Sequence, residues 1–224
     1  MIRRYLMTVV ALATLAICQP VTANIMIDTY TAGDTLVQVG SGFTGQTTNH
    51  PGILGGERDT VLTVPAGGSL GAIIFDGDLQ IVQGNNDEIS GNFLYDNFGT
   101  IDLTESGINT NFALNIDTTD LTASINNAFW ITVVSDGSSS TVNFDVPTNP
   151  QYAHHITIDF TDFAGVDMTA VDSVELGFDF AGNPGAQLTI QNFFVANGVP
   201  EPSTIIFGAG MAMLSLMVPR RRKS

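Results

Sequence analysis

Val174-Glu175-Leu176-Gly177-Phe178-Asp179-Phe180 sets an apolar side chain at every second position, with Glu, Gly and Asp between them. Period two marks a half-buried strand, because successive side chains leave an extended backbone on opposite faces. The same alternation runs through Ile156-Thr157-Ile158-Asp159-Phe160 and Thr141-Val142-Asn143-Phe144-Asp145-Val146. Working outward, further strands are predicted at 25–30, 60–64, 71–75, 79–83, 112–116, 129–134 and 187–195. Turn chemistry separates them at short intervals: Asp76-Gly77, Gly84-Asn85-Asn86, Asp136-Gly137 and Gly182-Asn183-Pro184-Gly185. No long helical periodicity occurs, and residues 167–172 read as at most one short helical turn. Many short strands with regular turns predict an all-β, antiparallel β-sandwich of jelly-roll type over residues 24–198. A propeller would need an internal repeat, and none is evident.

Charge divides the chain into three parts. Of 7 basic residues, six lie at the two ends: Arg3, Arg4, Arg220, Arg221, Arg222 and Lys223. Residues 24–198 carry 21 acids and a single base, Arg58, for a formal charge of −20. A field of that sign repels phosphate backbones and argues against nucleic acid as a partner. It favours solubility and attracts cations. The single cysteine, Cys18, falls in the leading segment, so residues 24–198 contain no disulfide, thiolate nucleophile or Cys-based metal site.

Both ends read as addresses. Met1-Ile2-Arg3-Arg4, an apolar run over 5–17 and small side chains at Val21 and Ala23 make the three parts of a secretory signal, cleaved after Ala23. The apolar run is short for a membrane span. Leu15-Ala16-Ile17-Cys18 approximates a lipoprotein box, but Ile17 is large where such boxes want a small residue. At the other end, Val199-Pro200-Glu201-Pro202-Ser203-Thr204 precedes an apolar stretch over 205–218 and then Arg220-Arg221-Arg222-Lys223. The two prolines keep the first segment extended, in a form a protease can grip. The basic cluster would remain cytoplasmic, leaving residues 24–198 outside.

These three ordered features resemble the PEP-CTERM sorting signal. The resemblance covers residues 199–224. It implies an exported substrate of an exosortase-like membrane protease, held at the inner membrane by its apolar helix before processing. It further implies delivery to the cell surface or to an exopolysaccharide matrix. Ile53-Leu54-Gly55-Gly56-Glu57-Arg58-Asp59 is similar to a segment found early in some ectodomains of that family. A guanidinium between Glu57 and Asp59 is expected to form a structural ion pair with them, and Gly55-Gly56 suggests close backbone approach.

Gly67-Gly68-Ser69-Leu70-Gly71 matches a nucleophile elbow, but a strand-like run follows where a helix is required. His154 and His155 are neighbours on a strand and cannot share one ligand, and His50 stands apart. Asp76 and Asp78, with Asp87 and Glu88 beyond the short strand 79–83, are oxygen donors suited to Ca²⁺. Trp130 lies opposite to Phe129, Ile131 and Val133 on its strand; if those three face the core, it is a candidate sugar-stacking platform, and if both faces of the strand are buried, it is part of the core. The expected function is a non-catalytic surface or matrix protein, with the sorting-signal resemblance implying an association with exopolysaccharide. The alternative is an extracellular carbohydrate-active hydrolase, which requires two convergent carboxylates in a concavity.

Overall fold

The computed structural model describes residues 24–84, 88–119, 128–146, 154–181 and 185–197. The expected leader (1–23) and sorting tail (199–224) lie outside the described residues, as does Asp87. Two antiparallel sheets face each other. One is ordered β11-β8-β13-β6-β5-β2, with β1 also paired to β13, and the other is ordered β10-β9-β12-β7-β4-β3. The strands are β1 (Ile25–Asp28), β2 (Leu36–Val39), β3 (Gly42–Asn49), β4 (Glu57–Val64), β5 (Leu70–Phe75), β6 (Leu79–Gln83), β7 (Ser90–Tyr95), β8 (Asn111–Thr119), β9 (Phe129–Ser135), β10 (Ser138–Phe144), β11 (His154–Asp159), β12 (Ser173–Asp179) and β13 (Gln187–Ala196).

The alternation that begins the reading is the packing itself. Val174, Leu176 and Phe178 of β12 are fully buried, as are Phe129, Ile131 and Val133 of β9. They meet Phe112, Leu114 and Ile116 of β8 and Leu188, Ile190 and Phe193 of β13 from the other sheet. Aromatic rings run through the interior in contact: Phe93 with Phe178, Phe178 with Phe129, and Phe112 with Phe193. Burial of this apolar surface is the main stabilising term.

Three strands lack a strong sequence signature: β2, β3 and β7. Strand β3 reads Gly-Phe-Thr-Gly-Gln-Thr-Thr-Asn, and its one large apolar side chain, Phe43, faces solvent at 79% exposure. It is an edge strand, held by its ladder to β4 and not by burial. Asp136-Gly137 closes the β9–β10 hairpin with positive φ at both positions (46° and 73°), the type I′ requirement that makes this pair so legible. Residues 167–172 form a turn closed by the Ala170 N–H on the Asp167 carbonyl, and 3₁₀ turns occur instead at Leu54–Gly56 and Phe160–Asp162. Among the described residues, no helix is long and apolar enough to cross a membrane.

Candidate functional site

Strand alternation decides what Arg58 can touch. On β4, Arg58, Thr60 and Leu62 point between the sheets, whereas Glu57 and Asp59 lie on the other side of the strand. The expected pairing of Arg58 with Glu57 and Asp59 therefore does not form. Arg58 is fully buried and its Nη1 pairs with Asp28 Oδ2 on β1, itself 1% exposed. Its Nη2 donates to the Ala32 carbonyl (2.8 Å) and its Nε to Thr60 Oγ1 (3.2 Å). The guanidinium carbon sits 3.9 Å from the centroid of the Phe75 ring. Gly33 closes the cluster from above, since a Cβ there would meet Arg58 Nη2 and Phe75 at 2.7 Å. Asp28 accepts from three donors: Arg58, the Tyr30 N–H (2.7 Å) and the Tyr95 hydroxyl (3.1 Å).

Burial pushes the Asp28 carboxyl above its ordinary value, while Arg58, the Tyr30 N–H and the Tyr95 hydroxyl draw it back. Burial and the Asp28 charge push the phenols of Tyr30 and Tyr95 well above theirs. This cluster ties β1 of one sheet to β4 of the other. It is a clamp with no opening for a ligand.

The described calcium candidates, Asp76, Asp78 and Glu88, do not converge. Asp76 and Asp78 form the tip of the β5–β6 hairpin, where the Asp76 N–H donates to the Asp78 carbonyl (3.1 Å). Glu88 lies past the far end of β6, beside Ile89, whose N–H donates to Gln83 Oε1. Five strand residues separate the two ends, about 16 Å of extended chain. Among the described residues, no group of three or more His, Cys, Asp or Glu side chains could hold a metal ion. Ser69 precedes β5 directly, with no helix after it, so the elbow geometry is absent. His155 Nδ1 shares a 2.7 Å hydrogen bond with Asn115 Oδ1, and His50 Nδ1 accepts the Gly52 N–H.

A cavity of about 440 Å³ lies among Thr100, Ser135, Asp136, Ser138, Asp167 and Asp172. Two of its three carboxylates are engaged in local structure. Asp172 accepts from Thr100 Oγ1 (2.7 Å) and from the Asp136 N–H (2.8 Å). Asp167 accepts from the Thr169 hydroxyl and N–H, which hold its carboxyl below the ordinary range. A glycosidase needs one carboxyl raised enough to act as an acid. Among the described carboxyls, the raised one, Asp28, is sealed in the interior.

The outer face of the β10–β9–β12–β7–β4–β3 sheet is different. Pairing register places one row of outward positions across the strands: Asn143, Trp130, Gly177, Asn92, Val61 and Gly45. The half-buried indole of Trp130 lies over Gly177. A Cβ on Gly177 would fall 2.0–2.4 Å from Trp130 Cε2, Cζ2 and Nε1, so only glycine leaves the indole this seat. Trp130 Nε1 donates to Glu175 Oε1 (3.1 Å), one row along. In that second row the hydroxyls of Thr132 and Thr141 bond to each other (2.9 Å), and Thr47 donates to Asp59 Oδ1 (2.5 Å). The sequence carried a signal for this seat: a glycine inside an otherwise strict strand pattern marks a close approach.

No family model matches the chain, and no curated protein matches it. Solved structures do. A family 11 carbohydrate-binding module from Clostridium thermocellum, in complex with a β-1,3-1,4-mixed-linked tetrasaccharide, aligns at 11% identity over 80% of this chain and 100% of that one, with a TM-score of 0.42. A family 30 carbohydrate-binding module of a cellulosomal cellulase from Clostridium thermocellum aligns at 14% identity over 80% and 100%, with a TM-score of 0.43. An exo-β-agarase aligns at 10% identity over 81% of this chain and 26% of that one, with a TM-score of 0.41. At such values the function of those proteins does not transfer, and the reading of the outer face stands on its own side chains.

Proposed function

We propose that this chain is a non-catalytic, carbohydrate-binding protein of the cell surface or extracellular matrix, and that Trp130 is its sugar platform. The observation that carries this is the seating of the indole over Gly177 on an outer sheet face, fixed by Glu175. Burying a Trp on the outside of a sheet, with amide and hydroxyl side chains around it, offers a stacking surface and uncharged hydrogen-bonding groups together. The test is affinity electrophoresis of residues 24–198 through gels containing soluble polysaccharides. The wild-type domain should be retarded by at least one of them. Trp130→Ala should migrate as in an empty gel while remaining folded, with only a modest fall in melting temperature. Equal retardation of both would remove Trp130 from the site.

Export and sorting belong to the same proposal and rest on the sequence of the two ends. Deleting Pro200-Glu201-Pro202 should leave the domain folded but retained at the inner membrane. Normal release of the deletion variant, followed by fractionation and intact mass, would refute sorting through that segment.

A further inference from the structure

The Trp130 row does not end at the indole. Four strands away, at the edge strand, Phe43 stands 79% exposed on the same outer face. It occupies the row next to Trp130's, in which Asp179, Ser90, Thr63 and Phe43 are in register. Its diagonal neighbour is Val61, 37% exposed, which lies in the Trp130 row itself. Beside Val61 stands Gly45, which puts no side chain above the sheet. Trp130, with its indole over Gly177, and Phe43 therefore stand on either side of Asn92 on this face. Strands are spaced about 4.8 Å, so the backbone positions of the two aromatics are about 19 Å apart across the sheet. A phenyl ring that exposed, on a strand its burial does not stabilise, has no role in the core.

The polar groups on the face say what could lie there. No Lys, Arg or His occurs among the outward residues of these rows, and the carboxylates are Glu175, Asp59 and Asp179. Glu175, Asp59 and Asp179 each already accept a hydrogen bond from Trp130, Thr47 and the Ala181 N–H respectively. A carboxylated or sulfated polymer would meet uncompensated like charge. An uncharged chain of hydroxyl-bearing rings would find stacking surfaces at both aromatics and the Asn92 amide between them.

We infer that Trp130 and Phe43 are the two ends of one binding face, with Val61 beside Phe43, and that its occupant is an uncharged linear polysaccharide running across the strands. This rests on the proposed carbohydrate-binding role and adds the extent of the site, the second contact residue and the ligand's charge class.

The experiment is calorimetric titration of the domain with β-glucan, mannan and agar oligosaccharides of two to six sugars. Alginate and chondroitin sulfate oligomers form the anionic arm, and sedimentation is measured in parallel. Wild-type affinity should rise with length for a neutral series, and the anionic arm should bind at least about tenfold more weakly at low salt. Phe43→Ala should cut hexasaccharide affinity by about tenfold and leave disaccharide affinity unchanged, as expected for loss of one aromatic contact. Trp130→Ala should abolish binding at every length. Neutral binding that depends on Trp130 but is indifferent to Phe43→Ala would overturn the extended face and spare the carbohydrate-binding reading. Anionic oligomers binding as well as neutral ones would overturn the charge class. No binding in any arm, or a dimer that Phe43→Ala dissolves, would overturn both readings.

Discussion

Asp28 and Glu175 each accept a hydrogen bond from an aromatic side chain, Tyr95 in one case and Trp130 in the other, yet they serve opposite ends. Asp28 lies between the sheets, where its partners surround it and a buried charge must be matched. Glu175 lies on the outer face, where one oxygen orients an indole and solvent supplies the rest. Polar chemistry inside this molecule specifies how the sheets dock, whereas polar chemistry outside presents a surface. Within a single strand, such as β4 with Arg58 inside and Asp59 outside, period two alone decides which side a residue joins.

The sharpest way to break that contrast is at Arg58. Arg58→Ala leaves Asp28 charged and unpaired, and should cost about 3–5 kcal/mol in denaturant unfolding. A melting temperature equal to wild type would show that the cluster is not a clamp. Next in size is alkaline pH. The folded values of Tyr30 and Tyr95 are raised above the ordinary 10, so both phenols keep their protons in the folded state after the unfolded chain has lost them. Their contribution is intact below pH 10 and is lost as pH climbs toward the folded values. The slope should be about 1.4 kcal/mol per pH unit for each tyrosine. Tyr30→Phe should halve it, as followed by urea melts between pH 9 and 11, and a slope unchanged by that variant would remove Tyr30 from the account.

Two glycines then compare the faces directly. At Gly91 a Cβ would meet the Val61 carbonyl at 2.4 Å and the Phe178 ring at 2.7 Å, both inside the packed sandwich. Gly91→Ala should cost about 1–3 kcal/mol. At Gly177 the obstacle is the Trp130 ring, which can swing toward water. Gly177→Ala should cost under about 1 kcal/mol while eliminating polysaccharide retardation and shifting tryptophan emission. Reversed costs at the two sites would mean that the inside and outside have been misassigned. The smallest effect is expected from Glu175→Gln, which keeps an acceptor for the indole N–H and should alter stability by no more than about 0.5 kcal/mol.

How far the sequence was readable follows the same division. Strands with one buried face, such as β9 and β12, declare themselves because burial imposes the alternation. Edge strands β2 and β3 do not, since their ladders use backbone groups that every residue carries. The outward position of Trp130 was legible from alternation, but its seat required the register of β9 against β12, which local sequence does not encode. Arg58 was visible as a lone base needing a partner. Its partner, 30 residues upstream on the other sheet, was not. The alternation that excludes Glu57 and Asp59 was available in the sequence, and it outranks proximity along the chain. The oxygen donors at Asp76, Asp78 and Glu88 looked like a set because turns collect such residues, yet a strand holds them apart.

Residues 24–198 contain no lysine and one arginine, and that arginine is wholly enclosed, stacked on Phe75 and tied to Asp28. A protease that cuts after basic residues therefore meets the native domain as a polymer with no place to cut. The bond after Arg58 becomes available only when the clamp opens, so digestion by trypsin would report the population of open molecules and not the mobility of any loop. The same composition leaves the domain without a side-chain amine, so amine-directed cross-linking in a crowded extracellular matrix would pass it by.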